Sequence, residues 1–342
     1  MTGVQTCALP IYCRGETRAA FPAGVSAPAQ YGERLRAAAV YLNVQQLIPE
    51  DRVAQTLSDL FGAVRFCPDT LADWVARKAQ AFEPVFARIA ELASTSPVRC
   101  LDETGFRVGG RGHWLHTVAT ETLTVYRVSP KRGDMPQNLI GGVIVHDGLK
   151  SYRGLAGVDH ALCNAHHLRE LKALIEFDKE PWAEPMRDLL REANHAVDEA
   201  RDKGQAVLDP AVAKTFHSRY WELLRLGLSY HRKLPRLPPH ASNRGRAKRR
   251  PGHNLLIRLH KFKDDVLRFA ADFSVPFTNN LAEQALRMMK VKMKISGSFR
   301  TIAAAQDFAA LRSVVATARK RAWNILETLT HRPQDLVQAL QA

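Results

Sequence analysis

Val98-Arg99-Cys100-Leu101-Asp102 and Val143-Ile144-Val145-His146-Asp147-Gly148 are the two runs that decide the reading of this chain. Each is a short apolar stretch, rich in β-branched residues and of strand length, and each ends on an aspartate. HWLHTVAT (113–120), LTVYRVSP (123–130) and HALCN (160–164) have the same character and are bounded by turn residues. The pair joined at Glu121 reads as a hairpin. Residues 97–163 are therefore expected to form one mixed sheet. Asp102 and Asp147 meet in it if their strands are neighbours.

On either side of this segment the apolar period changes from two to three and four. Leu35, Ala38, Ala39 and Leu42 open a helical region running from Tyr31 to about Ser94. Pro49 starts a short helix with Val53, Leu57 and Leu60 as its apolar stripe and Gly62 as its stop. Pro68 and Asp69 start another. Two short helices about a glycine-containing turn fit a helix-turn-helix, and equally a plain helical bundle. After the strands, NAHHLRELKALIEF (164–177) restarts a helical pattern that dominates to about Tyr230. Residues 231–250 hold eight Lys or Arg, three Pro and no acid, which reads as a basic loop. One long helix is expected from about Asn254 to Phe273, another from near Thr278, and a basic helical tail after it.

The 342 residues carry 49 Lys plus Arg against 34 Asp plus Glu, a net charge of +15. An excess of this size points to a polyanionic partner, most simply nucleic acid. The five cysteines are few, scattered and odd in number, which argues against a disulfide framework and for a reducing cytoplasm. No apolar run is long enough to span a bilayer, so no membrane partner is expected.

A third carboxylate completes the chemistry. Glu283 lies in TNNLAEQALRMMK (278–290), where Thr278 or Asn279 can cap a helix whose early turn holds the glutamate. Breaking a phosphodiester needs an activated nucleophile and a stabilised leaving oxygen. Two Mg²⁺ ions about 3.5–4 Å apart supply both, and a few convergent carboxylates suffice to hold them. Taken singly, each position also has an ordinary structural use, as a turn residue or a helix-dipole partner. Glu103, Glu170 and the Asp264–Asp265 pair rival Glu283 on spacing alone. The residues by themselves reach a metal-dependent nuclease or transferase and stop there.

Six blocks in order carry a resemblance: APAQYGERLRAAAVYLN, PEDRVAQTLSDLFG, LDETGFRVGGRGHWLHTV, VHDGLKSY, HALCNAHHLREL and TNNLAEQALRMMKVKMKISGSFRT. Together they resemble the large transposase of the IS sixty-six family, from about Phe21 to about Leu329. The resemblance implies an α/β, RNase H-like mixed sheet of the DDE type with a large all-helical insertion and an N-terminal helical module. Its catalytic, metal-holding triad falls on Asp102 in LDET, Asp147 in VHDG and Glu283 in NNLAE. The cofactor implied is Mg²⁺ or Mn²⁺, two ions. The spacing of 136 residues from Asp147 to Glu283 leaves room for the insertion.

The expected organisation is a non-native tail and linker over 1–30, a helical module over 31–95, the first part of the catalytic domain over 96–179, the insertion with its basic loop over 180–275, and the glutamate-bearing helix and basic tail over 276–342. Cys163 and His166 match a C-x-x-H element of related superfamilies, expected to be a structural or active-site wall. With no other ligands it makes a poor zinc site, and no zinc is expected. Lys290 matches the end of a signature that some relatives use to grip DNA beside the glutamate. Its upstream Tyr and Arg are absent here.

Lys290, Lys292, Lys294 and Arg300, with Arg244, Arg246, Lys248, Arg249 and Arg250 of the loop, are the expected phosphate contacts. Met1–Ile11 resembles a translated sequencing adapter, so upstream sequence is expected to be missing. Of the family's N-terminal cysteine-rich segment, only Tyr12-Cys13-Arg14-Gly15 could remain. The expected function is cleavage at transposon ends and strand transfer into target DNA. It would take place on the bacterial nucleoid, in a self-associated transpososome, with accessory proteins of the same element. A domesticated or defective DNA-binding remnant and a standalone RNase H-like nuclease are the alternatives.

Overall fold

The computed structural model describes residues 31–62, 67–134, 139–235, 237 and 249–341. The tail and linker over 1–30 lie outside these residues, as do Arg244, Arg246 and Lys248 of the basic loop.

The N-terminal module is helical. α1 (Glu33–Val40) runs into a π-turn (Tyr41–Gln45), followed by α2 (Glu50–Phe61), α3 (Pro68–Ala81) and α4 (Glu83–Thr95). Pro49 caps α2 and Gly62 ends it with φ 72°, a backbone turn that costs glycine little. α2 and α3 pack on each other, and α3 also rests on α1 and α12 (Ile302–Lys320). The exposed side of α3 carries Asp69, Asp73 and Arg77, the last two paired at 2.8 Å.

The sheet follows: β1 (Val98–Val108), β2 (Arg111–Ala119), β3 (Thr124–Ser129), β4 (Val143–His146) and β5 (Asp159–Leu162), with the short helix α5 (Lys150–Arg153) between the last two. Its order is β3-β2-β1-β4-β5, with β1, β2 and β3 antiparallel and β4 and β5 joining in parallel. This is an RNase H-like mixed sheet. β1 does not end at Asp102, as the apolar run suggested. It continues to Val108, because Asp102 through Val108 pair with Thr117 through Arg111. Gly109 and Gly110, both at positive φ (53° and 77°), close this hairpin in two residues.

β3 is an edge strand, and α12 covers its unpaired amides. The Tyr126 N–H donates to Ser313 Oγ at 2.8 Å and the Thr124 N–H to Thr317 Oγ1 at 3.1 Å. Ala305, Phe308, Leu311 and Val314 of α12 sit in the core. The expected basic tail is therefore in part a core helix. α13 (Ile325–Thr330) and α14 (Pro333–Ala339) end the described chain.

Between β5 and the glutamate-bearing helix α11 (Asn280–Ile295) lie α6 (Asn164–Ala173), a π-turn (Leu174–Asp178), α7 (Ala183–Asp202), α8 (Pro210–Lys233), α9 (Pro251–Lys261) and α10 (Lys263–Ala271). They bury an apolar cluster distinct from that of the sheet, with Trp182, Met186, Leu190, Tyr220, Leu256 and Phe269 among its members. The single helix expected over 254–273 is two. Phe262 leaves helical geometry at φ −116°, ψ 34°, and its ring lies under the Arg153 guanidinium, 4.6 Å away.

Candidate active site

β1 and β4 are neighbours, with Val98, Arg99 and Cys100 opposite Val143, Ile144 and Val145. Two residues beyond the Cys100–Val145 pair stand Asp102 on one strand and Asp147 just past the end of the other. Cys100 and Val145 pack with Val275 and Ala282. Strand alternation puts Asp102 on this same face, the one that α11 covers. Asn279 is the N-cap of α11, and the Glu283 N–H makes the first helical bond, to Asn279 O at 3.1 Å. Asn279 does not cap with its side chain. Its Nδ2 instead donates 2.8 Å to Leu101 O, tying the start of α11 to the residue before Asp102.

Asp102, Glu103, His166, Glu283, Arg287 and Lys290 are among the residues lining one cleft of about 200 Å³. Asp102 is largely enclosed there. Burial pushes its carboxyl up from 3.8 to about 7, the Glu103 N–H opposes the rise, and the charges of Asp147, Glu103 and Glu283 add to it. The Glu103 N–H donates to Asp102 Oδ1 at 2.8 Å. Asp147 is exposed and not among the cleft's lining residues; it accepts from the Leu149 N–H at 2.8 Å. Before it, buried His146 accepts the Gly148 N–H on Nδ1 at 2.9 Å, so its Nε2–H donates to His160 Nδ1 at 3.1 Å. Burial, with His160 and Arg153 beside it, pushes this imidazole down to about 3, which keeps it neutral. It braces the turn that presents Asp147.

Glu170 and Asp265 fall elsewhere. Glu170 holds Arg258 through both oxygens at 2.6 Å, and Asp265 lies on α10, 3.9 Å from Arg268. Glu103 lines the cleft, but its carboxylate accepts from Tyr152 and is paired with Arg132 at 3.0 Å.

Of the expected phosphate contacts, Lys290, Lys294 and Arg300 are exposed on or just after α11. Lys292 is not. It is only 8% exposed, with its ammonium 4.3 Å from the Phe299 ring and burial lowering its pKa, so it faces the core and not a phosphate. Arg249 and Arg250 are half-buried, and Arg250 ties the loop's ends by donating to Pro235 O at 2.8 Å. Two cations near Glu283 escaped the sequence reading. Arg287 is one helical turn beyond it in the same cleft, and Arg169 Nη2 lies 3.6 Å from Glu283 Oε1. Both follow from helical spacing, i+4 from Glu283 and i+3 from His166.

The donor set suits a hard dication. Asp102 lies within electrostatic reach of Asp147 and Glu283, and like charges so crowded call for protonation or a cation. Mg²⁺ prefers such oxygen ligands and keeps waters in its remaining positions.

An RNase H-like sheet interrupted by a helical insertion before the glutamate-bearing helix is the architecture of a DDE-type transposase. The family model of the transposase IS66 family matches residues 28–307, and the chain belongs to that family. It is thus a DNA transposase of an insertion sequence, a mobile element. No curated protein matches the chain. Among the described residues, no helix is long and apolar enough to cross a membrane.

Proposed function

We propose that the chain cleaves phosphodiesters at the ends of its element and joins the freed 3′-OH to target DNA, with Asp102, Asp147 and Glu283 as the catalytic carboxylates. The observation that supports this reading is the crowding of carboxylates around Asp102. Asp102 and Glu283 line one cleft, and Asp102 is raised in part by the charges of Asp147 and Glu283. The three would hold Mg²⁺ or Mn²⁺, as two ions. Bound there, such ions activate an attacking oxygen and neutralise a leaving one.

The chain's own residues do the positioning. Asn279 holds the glutamate's helix to the aspartate's strand, and His146 braces the Asp147 turn. Arg169, Arg287 and Lys290 stand where a phosphate backbone entering the cleft would pass. Lys294 and Arg300 extend that path. The partners are element-end and target DNA, with self-association in the assembled complex.

The test is cleavage of a cognate element end in Mg²⁺ or Mn²⁺. Asp102→Asn, Asp147→Asn and Glu283→Gln should each lower the rate by on the order of 10³ or more, since losing a metal ligand removes several kcal/mol of transition-state stabilisation. Glu170→Gln and Asp265→Asn should cost far less. Near-normal cleavage by all three triad variants would remove the chemistry from this site.

A further inference from the structure

Cys163 and His166 looked unsuited to a metal because no further ligand was in view. Folding brings one. Cys163 Sγ lies 4.0 Å from Glu283 Oε1, and His166 Nδ1 lies 3.9 Å from the same oxygen. Sulfur, nitrogen and oxygen all fall within 4.8 Å of one another. Bond lengths of about 2.3 Å to sulfur and 2.0–2.2 Å to nitrogen or oxygen place neighbouring donors of a tetrahedral zinc site roughly 3.3–3.7 Å apart. The two pairs to Glu283 must close by about half an ångström, and the sulfur–nitrogen pair by about 1 Å at most, to gather these three donors around one ion.

Two further features favour coordination. His166 Nδ1 is buried with no hydrogen-bond partner among the described residues, although it faces the thiol and the carboxylate. Cys163 Sγ accepts the Asn279 N–H at 3.1 Å, which holds the sulfur at the start of the helix that carries Glu283.

We propose that Cys163, His166 and Glu283 form a site for one borderline-soft divalent ion of the zinc and cobalt class. Three mixed ligands leave a fourth position open, the arrangement of exchangeable rather than structural zinc. Mg²⁺ has no use for the thiol. Arg169, 61% exposed at its side chain, is free to swing away from Glu283 as the ion enters. An ion held here takes Glu283 from Asp102 and Asp147, so zinc competes with magnesium for that carboxylate. The site shares Glu283 with the proposed reaction but does not depend on that reaction being correct.

The probe is Co²⁺ added to the full chain, read by thiolate-to-cobalt charge transfer in the near ultraviolet. Wild type should bind one equivalent and show the band. Cys163→Ser should lose it. Serine accepts the same N–H bonds and is a favoured N-cap, so α6 should persist, as circular dichroism would verify. His166→Ala and Glu283→Gln should weaken Co²⁺ binding on the order of 100-fold or more, since loss of a ligand costs at least what loss of a supporting contact does. Asp102→Asn and Cys67→Ser should keep the band.

A wild-type chain without the band, or a band that survives Cys163→Ser, overturns the site. Cleavage in Mg²⁺ by a chain without the band would leave the proposed reaction standing and this site refuted. A chain that shows the band but never cleaves would do the reverse.

Discussion

Replacing Asp102 by asparagine should stabilise the metal-free protein. The folded carboxyl titrates near 7 against an ordinary 3.8. Between those values the unfolded chain has released the proton that the native state still holds, so stability falls as pH rises from about 4 to about 7 and is flat above. At about 1.36 kcal/mol per pH unit, the span from 3.8 to about 7 sets a ceiling of about 4 kcal/mol. Water reaching the cleft reduces it, and about 2 kcal/mol is a working figure. At roughly 2–4 °C per kcal/mol for chains of 150–250 residues, and less for a longer one, Tm should rise by about 3–6 °C. Asparagine keeps an oxygen for the Glu103 N–H and removes only the charge. The assay is thermal unfolding of both proteins in EDTA at pH 5, 6, 7 and 8. The gap should be small at pH 5 and full at pH 8. Saturating Mg²⁺ should narrow it by stabilising wild type alone. A variant less stable than wild type at pH 8, or a gap independent of pH, would refute the reasoning.

Two further outcomes follow from the same geometry. Asn279→Ala strands the Leu101 carbonyl and frees the start of α11, so urea unfolding should show a loss of about 1–3 kcal/mol, and cleavage should fall even where the variant is fully folded. Lys290→Gln with Lys294→Gln should flatten the log–log salt dependence of duplex binding by about 1.8, at about 0.9 per phosphate contact; Lys292→Met, altering a core-facing lysine, should leave that slope unchanged.

The strands were legible where their own side chains made an apolar run. The second half of β1 was not, because Asp102-Glu103-Thr104-Gly105 has no such run and only pairing with β2 extends it. The break at Phe262 carries neither proline nor glycine to announce it, and the Arg153 contact that accompanies it is tertiary. Charge misled in one respect. Arg99, Arg312 and Lys320 spend their hydrogen bonds on internal carbonyls, and Lys292 lies against aromatic rings. Formal net charge therefore overstates what faces DNA. At the site, composition and spacing left Glu170 and Asp265 level with Glu283, and only the resemblance separated them. Their ion pairs outside the cleft now give a physical reason.

The long separation of Asp147 from Glu283 poses less difficulty than its length suggests. The chain departs the sheet at Cys163 and Asn164 and returns at Phe277 and Asn279, and these residues touch. The Asn164 N–H donates to Phe277 O at 3.0 Å, Asn164 Nδ2 to Val266 O at 2.9 Å, and the Asn279 N–H to Cys163 Sγ at 3.1 Å. Everything between is a helical unit with its own apolar cluster, seated on the sheet by these bonds, by Leu162 of β5 within that cluster and by the Arg268 Nε–H, which donates to His160 O at 2.7 Å. Loop-closure cost grows only slowly with length, and a folded insert has already ordered most of what it closes. The placement of Glu283 therefore depends on this seating and on the Asn279–Leu101 bond more than on the interior of the insertion. The insertion can vary in size without disturbing the carboxylates, provided that its two ends still meet and α10 keeps its seat on β5.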